Sequence, residues 1–187
     1  DLNELVMLLV SGGYKNYQIK EEIEEENIST VYEHNFKWIK GQVMAKRAAE
    51  IAAAGMHNIL LVGPPGTGKT AIAKAMKTIL PEMSQNEKIE ISKIQSIAGK
   101  LEGNLVGERP FRNPHHTTTV TAMTGGGINP KPGEMTMAHG GVLYMDEFTE
   151  FSRGVMEAMR QPLEDKKIVI SRKGGTYSFP ADFILLA

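Results

Sequence analysis

The chain has 187 residues, 41% hydrophobic and 23% charged, with 21 basic and 22 acidic side chains and a net charge of −1. This is the make-up of a globular chain with room for one substantial domain, and it excludes a wholly disordered or collagen-like polymer. No cysteine occurs, so disulfides, cysteine zinc sites and thiol catalysis are excluded.

In chain order, Leu2, Leu5, Val6, Leu8 and Leu9 predict a short amphipathic helix that stops at Ser11-Gly12-Gly13. The acidic run Lys20-Glu-Glu-Ile-Glu-Glu-Glu-Asn27 reads as a solvated face or linker, with an acidic docking segment as the alternative. Residues 1–36 are therefore taken as an N-terminal linker segment and 37–187 as the folded core. Residues 41–55 carry Val43, Met44, Ala48, Ile51 and Ala52 at helical spacing with a glycine stop at Gly55. Ile59-Leu-Leu-Val62 predicts a strand covered on both faces. Helices are predicted over 69–80, stopping at Pro81, and over 88–98.

From 99 to 133 the texture turns to Gly, Pro, Asn, Thr, His and Arg, without clear periodicity. Val142-Leu-Tyr-Met145 predicts a second buried strand, 152–164 a helix, and 167–171 with 176–179 a hairpin around Gly174-Gly175. Phe183-Ile-Leu-Leu-Ala187 predicts a third buried strand. Strands alternating with helices point to an α/β parallel sheet. No apolar run approaches the ~20 residues a membrane helix needs, and no secretion signal is present, which fits a cytoplasmic protein.

Gly63, Pro64, Pro65, Gly66, Thr67, Gly68, Lys69 and Thr70 match G-x-x-x-x-G-K-[ST] at every fixed position, between a predicted strand and a predicted helix. Glycines let the backbone bring several N–H groups against phosphate oxygens, and the helix start adds the positive end of its dipole. Lys69 supplies charge to the β- and γ-phosphates of ATP, and Thr70 offers a hydroxyl to Mg²⁺, with Ala71 next on the helix. The strand 142–145 carries Asp146 and Glu147 to the C-terminal edge of the sheet. Asp146 would orient Mg²⁺ and Glu147 would act as general base toward the attacking water.

Taken with Lys40-Gly-Gln42, Gly107-Glu-Arg-Pro-Phe-Arg-Asn-Pro-His-His116, Thr124-Gly-Gly-Gly127, Pro130-Lys-Pro-Gly-Glu134, Ala138-His-Gly-Gly141 and Arg160-Gln-Pro-Leu-Glu-Asp165, the sequence resembles the magnesium-chelatase-related AAA+ ATPases, of the competence-protein type. The resemblance covers roughly 37–187. It implies the P-loop NTPase fold of AAA+ type: a parallel sheet flanked by helices, with an insertion over 100–135 and a β-hairpin before the sensor strand. It implies Ile39, Lys40 and Gly41 near the adenine of ATP or ADP, and self-association into a hexameric ring. It further implies work on DNA through pore loops, as a branch-migration helicase of natural transformation. Two alternatives are a magnesium chelatase motor subunit and a nucleotide-switched assembly module. The resemblance also implies a sensor asparagine, an arginine finger and a lid after Ala187. The sequence is accordingly read as a truncated core, poorly active alone.

Arg109, Arg112, His115 and His116 form a local basic patch with two readings. One is contact with DNA phosphates. The other pairs the arginines with core carboxylates and the histidines with loop carbonyls. Adjacent histidines point apart in an extended chain, so His115, His116 and His139 are not read as a metal cluster. Arg160 is read as a surface pair with Glu157 or Glu164, or as a contact to a neighbouring subunit's nucleotide.

Overall fold

The computed structural model describes residues 34–101, 103–127, 130–172 and 175–187. The predicted N-terminal helix and the acidic run lie outside them. Among the described residues the strands are β1 (Phe111–Arg112), β2 (Gly125–Gly126), β3 (Lys131–Pro132), β4 (Val142–Tyr144), β5 (Lys167–Arg172), β6 (Gly175–Pro180) and β7 (Ile184–Leu186).

The central sheet is parallel, in the order β1-β4-β7. Phe111 lies opposite Val142, and Tyr144 opposite Leu186. Residues 59–61 extend the sheet past β7: Ile59 N–H donates to the Leu185 carbonyl at 2.9 Å and Leu61 N–H to the Ala187 carbonyl at 2.7 Å. The expectation that 59–62 is covered on both faces is corrected here. Leu60 is 65% exposed and Val62 87% exposed. Among the described residues the segment is an edge, and only Ile59 and Leu61 meet an apolar layer.

Strand alternation sends side chains to two apolar faces. Val142, Tyr144, Ile184 and Leu186 pack with Ala52, Ala53, Ala73 and Met76. Leu143, Met145, Phe183 and Leu185 pack with Met123, Met135, Val155, Met159, Ile168 and Ile170. Burial of each large side chain contributes about 1.5–3 kcal/mol, so neither face is dispensable. Met76, Met123, Met135, Met145 and Met159 serve as core filler, whereas Met44 is 84% exposed.

The helix Val43–Gly55 is alanine-rich and buries Ala49, Ala52 and Ala53. Small side chains let it lie close to its neighbours, and alanine has the strongest helix propensity. Its left-handed cap falls on Met56 (φ 51°), so Gly55 is the last helical residue and not the stop itself. Phe36, in the 3₁₀ turn Phe36–Trp38, packs against Ala49, Ile72 and Ala75.

The helix Lys69–Ala75 tightens into a 3₁₀ turn, Met76–Ile79, ahead of Pro81. The helix Gln85–Ile97 begins earlier than its apolar stripe suggested, because Ser84 and Glu87 form a capping box. The predicted helix over 152–164 is two pieces, Arg153–Ala158 and Arg160–Asp165. Pro162 has no N–H to donate back to the preceding turn.

The irregular 99–133 stretch holds β1, a strand of the central sheet, followed by the short helix Val120–Thr124 and the antiparallel β2–β3 pair. Gly141 sits where a Cβ would fall on the Pro110 carbonyl, which is what lets β1 approach β4. β5 and β6 pair antiparallel from Lys167–Pro180 to Arg172–Gly175, as the hairpin signal predicted.

Candidate functional site

Gly68 (φ 88°) caps the helix Lys69–Ala75 in a left-handed conformation natural to glycine. The loop before it is held by its own side chains. Thr67 Oγ1 donates to the Pro64 carbonyl at 2.9 Å, and Lys69 Nζ donates to the Gly63 and Pro64 carbonyls at 2.7 and 2.9 Å. Gln42 Nε2 donates to the Thr67 carbonyl at 2.9 Å, and Lys46 Nζ to the Ile39 carbonyl at 3.2 Å. These bonds join the turn at 39–42 to the phosphate-type loop. Gln42 was not among the predicted binding residues. Its clamp depends on a positive φ of 51°, which sequence spacing does not reveal.

A cavity of about 370 Å³ opens between these segments, lined by Asn35, Trp38, Ile39, Lys40, Gln42, Gly66, Thr67, Gly68 and Ala71. The predicted Gly41, Gly63, Pro64, Pro65, Lys69 and Thr70 adjoin it along the chain. A larger groove of about 510 Å³ lies between the helix Gln85–Ile97 and β6, lined by Ile89, Ile94, Ile97 and Phe179 among others. It carries none of the phosphate-loop groups.

Asp146 and Glu147 follow β4 and are exposed. Tyr144 connects them to the loop. Its ring is 2% exposed, while its O–H donates to Thr70 Oγ1 at 3.3 Å. Burial, opposed by the hydrogen bond with Thr70, and then the neighbouring carboxylates of Asp146 and Glu147 push the Tyr144 phenol up to about 12. The phenol therefore stays protonated at neutral pH. Its position two residues before Asp146 was visible as the single polar tip in an apolar strand.

Glu147 has a left-handed backbone (φ 52°, ψ 49°), and its N–H donates to Asp146 Oδ1 at 3.1 Å. His116 Nδ1 lies 3.4 Å from Glu147 Oε2. The His115 and His116 rings are 4.0 Å apart, and His115 Nδ1 meets Thr117 Oγ1 at 2.9 Å. The expectation that adjacent histidines point apart is corrected: a turn at His116-Thr117 folds them onto each other. Nor do they satisfy loop carbonyls; their partners are the Thr117 hydroxyl and N–H and the Glu147 carboxylate.

The arginines have structural partners. Arg109, with its side chain 9% exposed, donates to the Pro81 and Gly140 carbonyls at 2.7 Å each and pairs with Glu87 at 2.9 Å. Arg112 forms a two-pronged pair with Glu134 at 2.6 and 2.8 Å. That carboxylate holds the guanidinium above its ordinary value. Arg160 is exposed, and Glu157 pairs with Arg153 at 2.8 Å instead of with Arg160. His139 Nδ1 accepts from Asp182 N–H at 3.1 Å.

The Thr70 hydroxyl and the exposed carboxylate of Asp146 are hard-oxygen donors. This fits Mg²⁺, which binds through one or two protein oxygens and completes its shell from phosphates and water.

Residues 35–187 match the family described as "Magnesium chelatase, subunit ChlI". The chain is 50% identical over 150 residues to "Competence protein ComM" of Haemophilus influenzae, covering 80% of this chain and 30% of that protein. It is 44% identical over 161 residues to "Uncharacterized protein YifB" of Escherichia coli, covering 86% of this chain and 32% of the relative. It thus spans about a third of the length of these relatives. Among solved structures it is similar to the complex between subunits BchI and BchD of magnesium chelatase, with a TM-score of 0.64 at 24% identity, covering 81% of this chain and 53% of that one. NtrX from Brucella abortus in complex with ATP gives a TM-score of 0.52 at 23% identity, covering 79% of this chain and 29% of that one.

Proposed function

This chain belongs to the magnesium-chelatase-related AAA+ family, of the ComM-like type, and on that premise we propose that it binds ATP with Mg²⁺ and hydrolyses it to drive a ring motor on DNA. The observation that carries the nucleotide reading is the meeting of the loop 63–70 with the end of β4 through Thr70 and Tyr144. In this reading residues 37–187 are the AAA+ core and 1–36 a linker.

Backbone N–H groups of the loop and the start of the helix Lys69–Ala75 receive the phosphates. Lys69, now bonded to two loop carbonyls, exchanges those partners for β- and γ-phosphate oxygens. Ile39, Lys40 and Gly41 border the adenine end, within reach of the 370 Å³ cavity. Thr70 and Asp146 hold Mg²⁺, which when bound neutralises charge on the transferring phosphoryl group. Glu147 accepts the proton of the attacking water.

The finer role follows from the likeness to a competence protein: a hexameric, cytoplasmic ring acting on branched DNA during transformation. Arg109 and Arg112 do not supply the DNA contact, because both guanidiniums are already engaged. Phosphate release with and without branched DNA tests the proposal. Stimulation supports a DNA motor. ATP turnover indifferent to DNA would favour an assembly switch or a chelatase-type motor and would end the DNA reading.

A further inference from the structure

We propose that Trp38 stacks on the nucleobase, and that its indole makes the site favour purine over pyrimidine triphosphates. The inference rests on the nucleotide reading above and adds the residue that reads the base.

Trp38 is 56% exposed. An indole carries a large apolar surface of the kind that usually dominates a core or an interface. Among the described residues this one joins none of the three apolar clusters. It lines the cavity of about 370 Å³ beside the phosphate-type loop instead. The ring thus has area left to bury, and it faces the place where a ligand would bury it. Lys37 Nζ, 5.9 Å from the ring centroid, covers one face at most, and the ring has two.

The side chain is exposed, but the backbone that carries it is fixed. Phe36 is buried against Ile72 and Ala75, and its N–H donates to Thr78 Oγ1 at 3.2 Å. Trp38 N–H donates to the Asn35 carbonyl at 3.0 Å, and Lys37 N–H to Asn35 Oδ1 at 3.0 Å. Just beyond the indole, Lys46 holds the Ile39 carbonyl and Gln42 holds the Thr67 carbonyl. The turn bearing Trp38 is therefore tied to the loop that receives the phosphates. The span from base to phosphates is set before a ligand arrives, which lowers the ordering cost of binding.

Every base has a π-face, so stacking alone does not separate adenine from guanine. It does favour a fused two-ring purine, which overlaps a fused two-ring indole over more area than a single pyrimidine ring can.

The test compares ATP, CTP and inorganic tripolyphosphate by calorimetry on the intact chain and on Trp38→Ala and Trp38→Phe. In Trp38→Ala we expect ATP affinity to fall about fivefold or more, the scale of one base–aromatic stack. CTP should lose less, and tripolyphosphate should stay within about twofold. Trp38→Phe should recover most of the ATP affinity. Unchanged ATP affinity in Trp38→Ala overturns the proposal. So does an equal loss for tripolyphosphate, which would mark a merely structural indole. A second measurement needs no variant: ATP should quench the fluorescence of the parent and tripolyphosphate should not, and an equal response to both also overturns the proposal. A parent that binds neither ATP nor tripolyphosphate would instead remove the nucleotide reading, and this inference with it.

Discussion

Arg112 and Glu134, 22 residues apart in the chain, close a two-pronged ion pair at 2.6 and 2.8 Å. Arg112 stands on β1 in the central sheet, and Glu134 opens the helix Glu134–Met137. The two sequence strings most selective for the family, 107–116 and 130–134, are thus two halves of one contact.

Arg112→Ala should destabilise the fold by about 1–2 kcal/mol, since removing one partner leaves a half-buried carboxylate uncompensated. The salt slope of any DNA binding should stay as it was, because the guanidinium is not available to phosphate. Denaturant unfolding and a salt titration on one variant check both halves. A flattened salt slope with unchanged stability would put Arg112 on DNA after all.

Trp38 is the only tryptophan and lines the cavity beside Ile39 and Lys40. Its fluorescence should change as ATP is added. Lys69→Ala should move the midpoint of that titration by about tenfold or more, since hydrogen bonds to charged groups are worth ~1.5–3 kcal/mol. An unmoved midpoint would detach Lys69 from the phosphates.

Glu147→Gln should keep ATP affinity and lose most turnover, because shape and positioning survive while proton acceptance does not. The amide also tolerates the left-handed backbone at this position about as well as the acid does. Parental turnover in this variant would assign the base elsewhere.

The Ser84 backbone N–H, then the Ser84 hydroxyl, with a further contribution from Arg109, hold the Glu87 carboxyl below its ordinary value of 4.5, against some desolvation. A carboxyl depressed in the folded state stabilises above the unfolded pKa, and the contribution is lost as pH falls through the folded one. Glu87→Gln should therefore melt earlier than the parent at pH 7, and the two melting curves should converge below about pH 4.5. A constant gap across that window would mean that Glu87 acts through packing alone.

Gly141→Ala should cost about 3 kcal/mol, because the added methyl meets the Pro110 backbone and not a flexible side chain. Denaturant unfolding measures it. A neutral substitution would show that β1 can move aside.

The phosphate-type loop, the β4 and β7 strands and the hairpin were legible because each is a local pattern: fixed glycines, a continuous apolar run, alternation across a glycine turn. β1 was not. It has two residues, and one of them is Arg112, so no periodicity could announce it. Residues 59–62 misled for the opposite reason: four apolar residues look alike whether a strand is central or at an edge. Asp146 and Glu147 were legible as an exposed acidic pair from the strand that carries them. Gln42 and His116 were not, because their partners, the Thr67 carbonyl and Glu147, are brought to them only by the fold.

The two apolar faces of β4 have a consequence for its alignment. In a sheet with one wet face, a slip of one residue would drive hydrophobic side chains into water and be rejected at once. Here a slip would exchange Val142 and Tyr144 with Leu143 and Met145, and both layers would still receive greasy side chains. Hydrophobicity is therefore nearly blind to the slip that would take the Tyr144 hydroxyl away from Thr70. What discriminates is a pair of narrow features at the strand's two ends. At its start, Gly141 is the residue that fits under the Pro110 carbonyl. At its end, the Tyr144 hydroxyl finds a partner in Thr70. The strand is threaded between a steric gate and a polar latch, and the placement of both carboxylates depends on those two points.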